Sequence, residues 1–241
     1  MQDGQFTHHG GLFATTRWTL VLAASAPGAP QALDELCRAY WYPLYAYVRR
    51  HGRGREDAED LTQAFFAQFL KARSLDAVDA SRGKFRAFLL ASLKNFLAND
   101  YDRRSRLKRG GHATHLPLDW QEADARFQIA DASQVPPDLA FDREWALTLL
   151  ERVLAILREE SAATGQGARF DHLKAYLTVD SGDIPYAEAA ASLGLDAGTV
   201  RVIVHRLRKR YRDLLRVEVL HTLADPTLVD EELRTLLGAF S

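Results

Sequence analysis

Residues 186–211, YAEAAASLGLDAGTVRVIVHRLRKRY, decide the fold of this chain. The apolar stretch from Tyr186 to Leu193 predicts a short helix, and Gly194 follows it at a point where a tight turn requires a positive φ. Asp196 is placed to cap a second helix, on which Val200 points back towards a core. Together these features predict a helix-turn-helix, whose second helix enters the major groove of DNA.

The exposed face predicted for the second helix is basic, as the neutralisation of DNA phosphates requires. It carries Arg201, His205, Arg206, Arg208, Lys209, Arg210 and Arg212. A surface helical hairpin with a solvated basic face is the alternative that this stretch leaves open.

Composition restricts the class of protein. The chain has 241 residues, 47% of them apolar, and a net charge of −1, so any nucleic-acid signal must lie in local patches. The single cysteine, Cys37, excludes an internal disulfide and fits a reducing cytoplasm. No secretory leader is recognised, and the apolar stretch Trp18 to Ala24 is too short to cross a membrane, so we expect a cytoplasmic protein without membrane insertion.

Apolar residues recur at helical spacing along most of the chain, which predicts an all-α fold. Outside the helix-turn-helix, helices are predicted at Gln31–Arg50, Glu56–Ala72, Lys84 to about Arg104, Phe141–Glu160 and Ala168–Leu177. Between residues 110 and 139 this periodicity fades and prolines appear, which indicates a linker between two helical domains.

Catalytic and cofactor motifs do not emerge from the sequence. His112 and His115 have the spacing of metal ligands, but no cysteine or carboxylate lies at a matching distance from them. Neither a phosphate-binding glycine loop nor a nucleophile elbow is recognised. We therefore expect no enzymatic activity, no metal and no cofactor.

Several motifs occur in the order of a known family. They are EDAEDLTQAFF (56–66), KFRAFL (84–89) with KNFLANDY (94–101), and the stretch from Pro185 to Arg216. The chain resembles the group 4, extracytoplasmic-function sigma factors, which are promoter-recognition subunits of bacterial RNA polymerase. In that family the first motif docks on the polymerase, the second pair opens and reads the −10 element, and the last reads the −35 element.

The resemblance implies a domain organisation. It consists of an N-terminal extension (1–29), a sigma region 2-like domain (30–109), a linker (110–139), a sigma region 4-like helix-turn-helix domain (140–216) and a C-terminal helical extension (217–241). The partners that it implies are core RNA polymerase, through its β′ clamp and β flap, and promoter DNA. A regulator that binds DNA through its helix-turn-helix without polymerase is the competing interpretation.

Three sets of binding residues follow from the resemblance. Candidates for the β′ clamp are Asp57, Asp60, Gln63 and Gln68. Candidates for the −10 element are Lys94, Asn95, Asn99, Tyr101, Arg103, Arg104, Arg106 and Lys108. Candidates for the −35 element are Thr199, Arg201, Val202, His205, Arg206, Lys209 and Arg212. Asn95 matches the family's asparagine that helps to form a pocket for a flipped base.

Regulation has two candidate sites. Thr62 follows the acidic motif directly, and a phosphate there would add negative charge near a helix N-terminus. The C-terminal extension is predicted to be an acidic amphipathic helix, which either packs on its own domain or covers Arg206 to Arg212 until polymerase displaces it. The extension resembles that of a sigma-factor subgroup, and an anti-sigma factor or a Ser/Thr kinase is the implied regulator.

Overall fold

The computed structural model describes residues 30–71, 84–106, 118–131, 135–177 and 186–240. The helices in these ranges are α1 (Pro30–Arg50), α2 (Arg55–Lys71), α3 (Phe85–Arg106), α4 (Trp120–Asp131), α5 (Pro137–Ala163), α6 (Gly167–Leu173), α7 (Tyr186–Leu193), α8 (Ala197–Leu220) and α9 (Val229–Gly238). The described ranges hold no strand, only an isolated antiparallel bridge between Lys84 and Leu223. The all-α prediction is confirmed, and the N-terminal extension lies outside the description.

Part of the predicted linker is helical. The sequence predicts a linker without regular periodicity at 110–139, but α4 extends for 12 residues within it. The Asp119 carboxylate accepts a hydrogen bond from the Glu122 amide at 3.0 Å and so caps the start of α4. Ala123 and Phe127 are buried in the core, so one face of this helix is fixed by packing.

The long helix α5 joins two hydrophobic cores. Its first half contributes Trp145, whose ring stacks on Tyr40 of α1 with centroids 4.3 Å apart and lies 6.0 Å from Phe85 of α3. Its second half contributes Val153 and Leu157 to a separate cluster. One helix therefore contributes to both cores.

The predicted domain division can be compared with this packing. Residues on both sides of the linker, such as Leu44 of α1 and Leu149 of α5, belong to the same core. The end of α8 and the helix α9 contribute Val219 and Leu236 to it as well. The division into two helical domains joined by a linker stays a prediction.

The C-terminal extension packs on other helices and does not cover the basic face of α8. Helix α9 contacts α5 and α8, and Val229 and Leu236 are buried in the first core. Arg206 and Lys209, which the shielding alternative would cover, remain exposed. The packing alternative is the one that the structure shows.

Candidate DNA-binding and polymerase-binding surfaces

The helix-turn-helix has the predicted turn. Gly194 has a φ of 63°, and the Leu195 amide donates to the Ala190 carbonyl at 3.0 Å. The Asp196 carboxylate then caps α8 by accepting from the Thr199 amide at 2.8 Å. Hydrogen bonds from the hydroxyl and the amide of Thr199 lower the pKa of Asp196, so the cap is charged at neutral pH. The turn and the cap fix the direction in which α8 leaves the domain.

A small third core orients the two helices of the motif. Val200 and Val204 of α8 pack against Ala189 and Ala190 of α7, and Leu173 of α6 completes the cluster. Because these residues face inward, the opposite side of α8 faces solvent. The residues predicted for −35 contacts that are exposed there are Thr199, Arg201, Val202, His205, Arg206, Lys209 and Arg212. Val202 is an exposed apolar residue among polar ones.

Part of the basic run has structural partners instead. Arg208 donates from Nε to the Tyr176 carbonyl at 2.9 Å, and Arg210 forms a two-pronged pair with Glu160 at 2.5 and 2.9 Å. Arg216 pairs with Asp230 of α9. The sequence pattern assigned Arg208 and Arg210 to one basic face, whereas the fold uses them to attach α8 to the preceding helices.

The candidate −10 residues lie on α3. Lys94, Asn95 and Asn99 are exposed. The other predicted residues are Tyr101, Arg103, Arg104 and Arg106, whose backbone continues α3 but whose side chains are not described, and Lys108, which lies outside the described residues.

Lys94 has a carboxylate partner. Its ammonium lies 2.8 Å from the Asp138 carboxylate and 5.8 Å from the centre of the Tyr47 ring. The hydrogen bond to Asp138 raises the pKa of Lys94 above its usual value. A predicted DNA contact is therefore already neutralised within the chain.

Aromatic side chains accompany α3. Phe96 is buried and packs edge-on against Phe65, with ring centroids 5.7 Å apart. Phe88 is partly buried, and its ring centroid lies 6.0 Å from that of Phe69. Both rings belong to the interface between α2 and α3, so neither is free to stack on a base without rearrangement.

Only some of the polymerase-binding residues predicted on the acidic helix α2 are exposed. Asp57, Asp60 and Gln68 are exposed. Gln63 is 3% exposed, so its assignment to a polymerase-binding surface is wrong in this conformation. It lies on the side of α2 that enters the core, because Phe66, three residues further along, is fully buried.

The prediction of a phosphosite at Thr62 is corrected as well. Its side chain is 0% exposed, and its hydroxyl donates to the Ala58 carbonyl one turn earlier at 2.7 Å. A kinase must reach a hydroxyl to phosphorylate it, so the predicted phosphosite is inaccessible in this structure.

Sequence reasoning missed the residues that fasten α3 to distant segments. Arg86, within the KFRAFL motif, bonds Glu232 of α9 and Asp142 of α5. The two carboxylates lie 146 and 56 residues away in sequence. No local pattern predicts such pairs. The one available signal was an arginine between two apolar residues at the start of a buried helix.

Comparisons with known proteins identify similar sequences. Residues 36–107 match the family model for Sigma-70 region 2. These residues are thus similar to region 2 of the sigma-70 family. It is 26% identical over 193 residues to the ECF RNA polymerase sigma factor SigE of Mycolicibacterium smegmatis, an alignment that covers 80% of this chain and 65% of that protein. No solved structure matches the present chain significantly. Membership of a subgroup with a C-terminal extension stays a prediction.

One further property concerns the membrane. Among the helices within the described ranges, none combines the length and the apolar character needed to cross a membrane.

Proposed function

We propose that this protein is a sigma factor that binds core RNA polymerase and directs promoter recognition, promoter melting and transcription initiation. The observation that carries the proposal is the presence, in one chain, of a region 2 domain and a helix-turn-helix. A regulator that only binds duplex DNA needs the second of these and has no use for the first.

The −35 element is read by α8 in this proposal. Arg201, His205 and Arg206 occupy the exposed early part of the helix, where side chains of a helix-turn-helix reach base edges. Lys209 and Arg212 lie further along and contact phosphates. Arginine pairs with guanine in two-pronged fashion, which makes Arg206 the best candidate for sequence readout.

The −10 element is held by α3. Melting requires that unstacked bases and their phosphates find partners on the protein, and a flipped base is recognised by hydrogen bonds to its edge. Asn95 and Asn99 offer amide groups that both donate and accept. Lys94 supplies a cation once Asp138 is displaced. Tyr101, Arg103, Arg104, Arg106 and Lys108 extend this surface in the proposal.

Polymerase docks on α2. Asp57, Asp60 and Gln68 present polar and acidic groups that complement a basic face on the β′ clamp. The β flap meets the helix-turn-helix domain. An anti-sigma factor or a kinase acting elsewhere than Thr62 would control the protein.

The test is transcription in vitro with core polymerase on a genomic promoter library. We expect defined start sites with the wild type. Asp57→Lys combined with Asp60→Lys should abolish capture by core polymerase while leaving the circular dichroism spectrum unchanged, and Glu159→Lys, on the exposed face of α5, is the control. A protein that binds promoter DNA but neither captures polymerase nor supports transcription would be the competing regulator.

Melting is tested separately. Asn95→Ala should still form the closed complex but leave thymines near −10 unreactive to permanganate, because the flipped base loses its partners. Normal reactivity in this variant removes Asn95 from the site.

A further inference from the structure

A basic cavity lies at the turn between α1 and α2. It has a volume of about 440 Å³, and three arginines line it, Arg49, Arg50 and Arg53. Phe127 of α4 and Pro137 at the start of α5 line it as well. Its volume falls within the range of about 300–1,000 Å³ that is typical of small-molecule sites.

The charged groups that line this cavity are all cationic. None of the described residues in its wall is acidic. Arg49 has a carboxylate partner, because its Nη1 donates to Asp124 at 2.5 Å, but Asp124 does not line the cavity. Arg53 is half-buried and forms no ion pair with another described residue. An anion inside the cavity would therefore reduce the repulsion between the guanidinium groups around it.

An aromatic ring holds two of these guanidinium groups in place. The guanidinium carbon of Arg49 lies 4.6 Å from the centre of the Phe127 ring, and that of Arg50 lies 5.7 Å from it. Phe127 itself is buried in the core, so the ring is a fixed support for both cations. Arginines that are already positioned lose less side-chain entropy when they bind a ligand.

Stabilisation of a helix end explains only part of this cluster. Arg49 and Arg50 lie in the last turn of α1, where the helix dipole favours cations. Arg53 lies beyond that helix and before α2 begins. The chain turns at Gly52, which has a φ of 76° and whose amide donates to the Arg49 carbonyl at 3.0 Å. This turn brings the third arginine to the cavity, and the helix dipole gives no reason for its charge.

We propose that this cavity binds the polyphosphate group of a small ligand, such as a nucleoside diphosphate or triphosphate. Guanidinium groups are planar and bond two phosphate oxygens at a time, so several arginines match a chain of several phosphates. The residues that line the cavity belong to none of the sets proposed for the −10 element, the −35 element or the β′ clamp. The ligand would thus bind in addition to DNA and polymerase, as an effector that joins the turn after α1 to α4.

The first experiment measures thermal unfolding of the full chain with inorganic triphosphate, with ATP and with a single-stranded oligonucleotide. Triphosphate and ATP should raise the midpoint as their concentration rises, because they bind the folded state. Sulfate at the same ionic strength is the control for general salt effects and should raise it much less. A response to the oligonucleotide alone, or an equal response to sulfate, would overturn the proposal.

The second experiment assigns the binding to Arg53 by calorimetric titration with triphosphate. Arg53→Ala should weaken binding about tenfold, because charge-assisted hydrogen bonds are lost, and Arg53→Lys should restore only part of the affinity. The fold should persist in both variants, since Arg53 has no ion pair to lose. Arg49 is unsuitable for this test because it also joins α1 to α4.

Arg158→Ala is the matched control. It removes the same charge from an exposed position of α5, where Arg158 pairs with Asp171 at 3.1 Å, and should leave the affinity for triphosphate unchanged. Equal losses in the Arg53 and Arg158 variants would reduce the effect to net charge and contradict the proposed site.

The third experiment locates the ligand by amide hydrogen exchange of the full chain. Saturating triphosphate should slow exchange at residues 50–54 and leave the exposed face of α8 unaffected. Protection confined to α8 would place the anion on the proposed −35 surface and overturn the proposal. The site does not depend on the proposed function: triphosphate binding that requires Arg53, in a protein that supports no transcription, would retain the first and refute the second.

Discussion

The two helices proposed to read DNA begin in opposite environments. Helix α3 starts inside the protein, with Phe85 and Leu89 at the core and Arg86 locked to two carboxylates. Helix α8 starts in solvent, with Arg201 and Val202 exposed and only one face packed. Under the proposed function, α8 would bind DNA as it stands, whereas Lys94 of α3 would first have to give up its ion pair with Asp138.

Replacing one arginine on each helix by alanine tests this comparison with the largest expected effect. Arg86→Ala should lower the free energy of unfolding by about 3–5 kcal/mol, because it leaves Glu232 buried with Lys84 as its remaining cation. Arg201→Ala should change the free energy of unfolding by no more than about 0.5 kcal/mol, because its side chain is exposed. Urea denaturation followed by circular dichroism measures both values. Similar losses in the two variants would mean that α3 is no more tightly anchored than α8.

A second substitution pair separates base readout from phosphate binding on α8. Arg206→Ala should lower affinity for the preferred −35 duplex by about 1–3 kcal/mol and relax sequence preference. Arg212→Ala should weaken binding to all duplexes alike and reduce the salt dependence of affinity. Electrophoretic or anisotropy titrations on cognate and scrambled duplexes distinguish these patterns. Uniform losses in both variants would return Arg206 to the phosphate contacts.

The helix-turn-helix was predictable because its determinants are local. Gly194, Asp196 and Val200 lie within seven residues, and each has a conformational or packing role that its residue type discloses. The ion pairs of Arg86 were not predictable, since Arg86 and Glu232 meet only after several helices have packed. Arg210 illustrates the same limit: its charge suggested a DNA contact, but only the fold brings Glu160 beside it.

The error at Thr62 could have been avoided from the sequence. Thr62 precedes Phe66 by four residues and Phe69 by seven, the spacing of one helical face, and both phenylalanines are buried. The resemblance to a docking motif led to an exposed position, whereas the periodicity indicated a buried one. Where the two disagree on an amphipathic helix, packing decides the orientation.

Two glycine replacements test how much the turn before α8 contributes to stability. Gly194→Ala should destabilise the helix-turn-helix by about 1 kcal/mol, because a side chain is strained at a φ of 63° even though nothing lies within 4 Å of the added carbon. Gly238→Ala, at the end of α9, meets open space without positive φ and should be neutral or stabilising. Thermal unfolding of the two variants supplies the comparison. An equal effect of both replacements would contradict the proposed role of the turn.

The smallest expected effect concerns the pair that attaches α8 to α5. The hydrogen bond from Arg210 lowers the pKa of Glu160. A carboxyl group whose folded pKa is depressed stabilises the fold above its unfolded pKa, about 4.3 for glutamate, and loses this contribution as pH falls through the folded pKa. Because 36% of the Glu160 side chain and 49% of the Arg210 side chain are exposed, the contribution should be only about 0.5 kcal/mol.

Glu160→Gln should therefore lower the urea midpoint slightly at pH 7, and the difference from wild type should shrink as the pH falls through the lowered pKa of Glu160, because the wild-type carboxyl then becomes protonated as well. The adjacent Glu159→Gln, at an exposed position of α5, is the matched control for the loss of one carboxylate. Glu160→Gln also releases Arg210 on the face of α8, so the affinity for duplex DNA should rise while the stability of the fold falls. Opposite changes in these two quantities would show that the fold and the DNA compete for Arg210. If stability and affinity fall together, Arg210 contributes to DNA binding only by holding α8 in place.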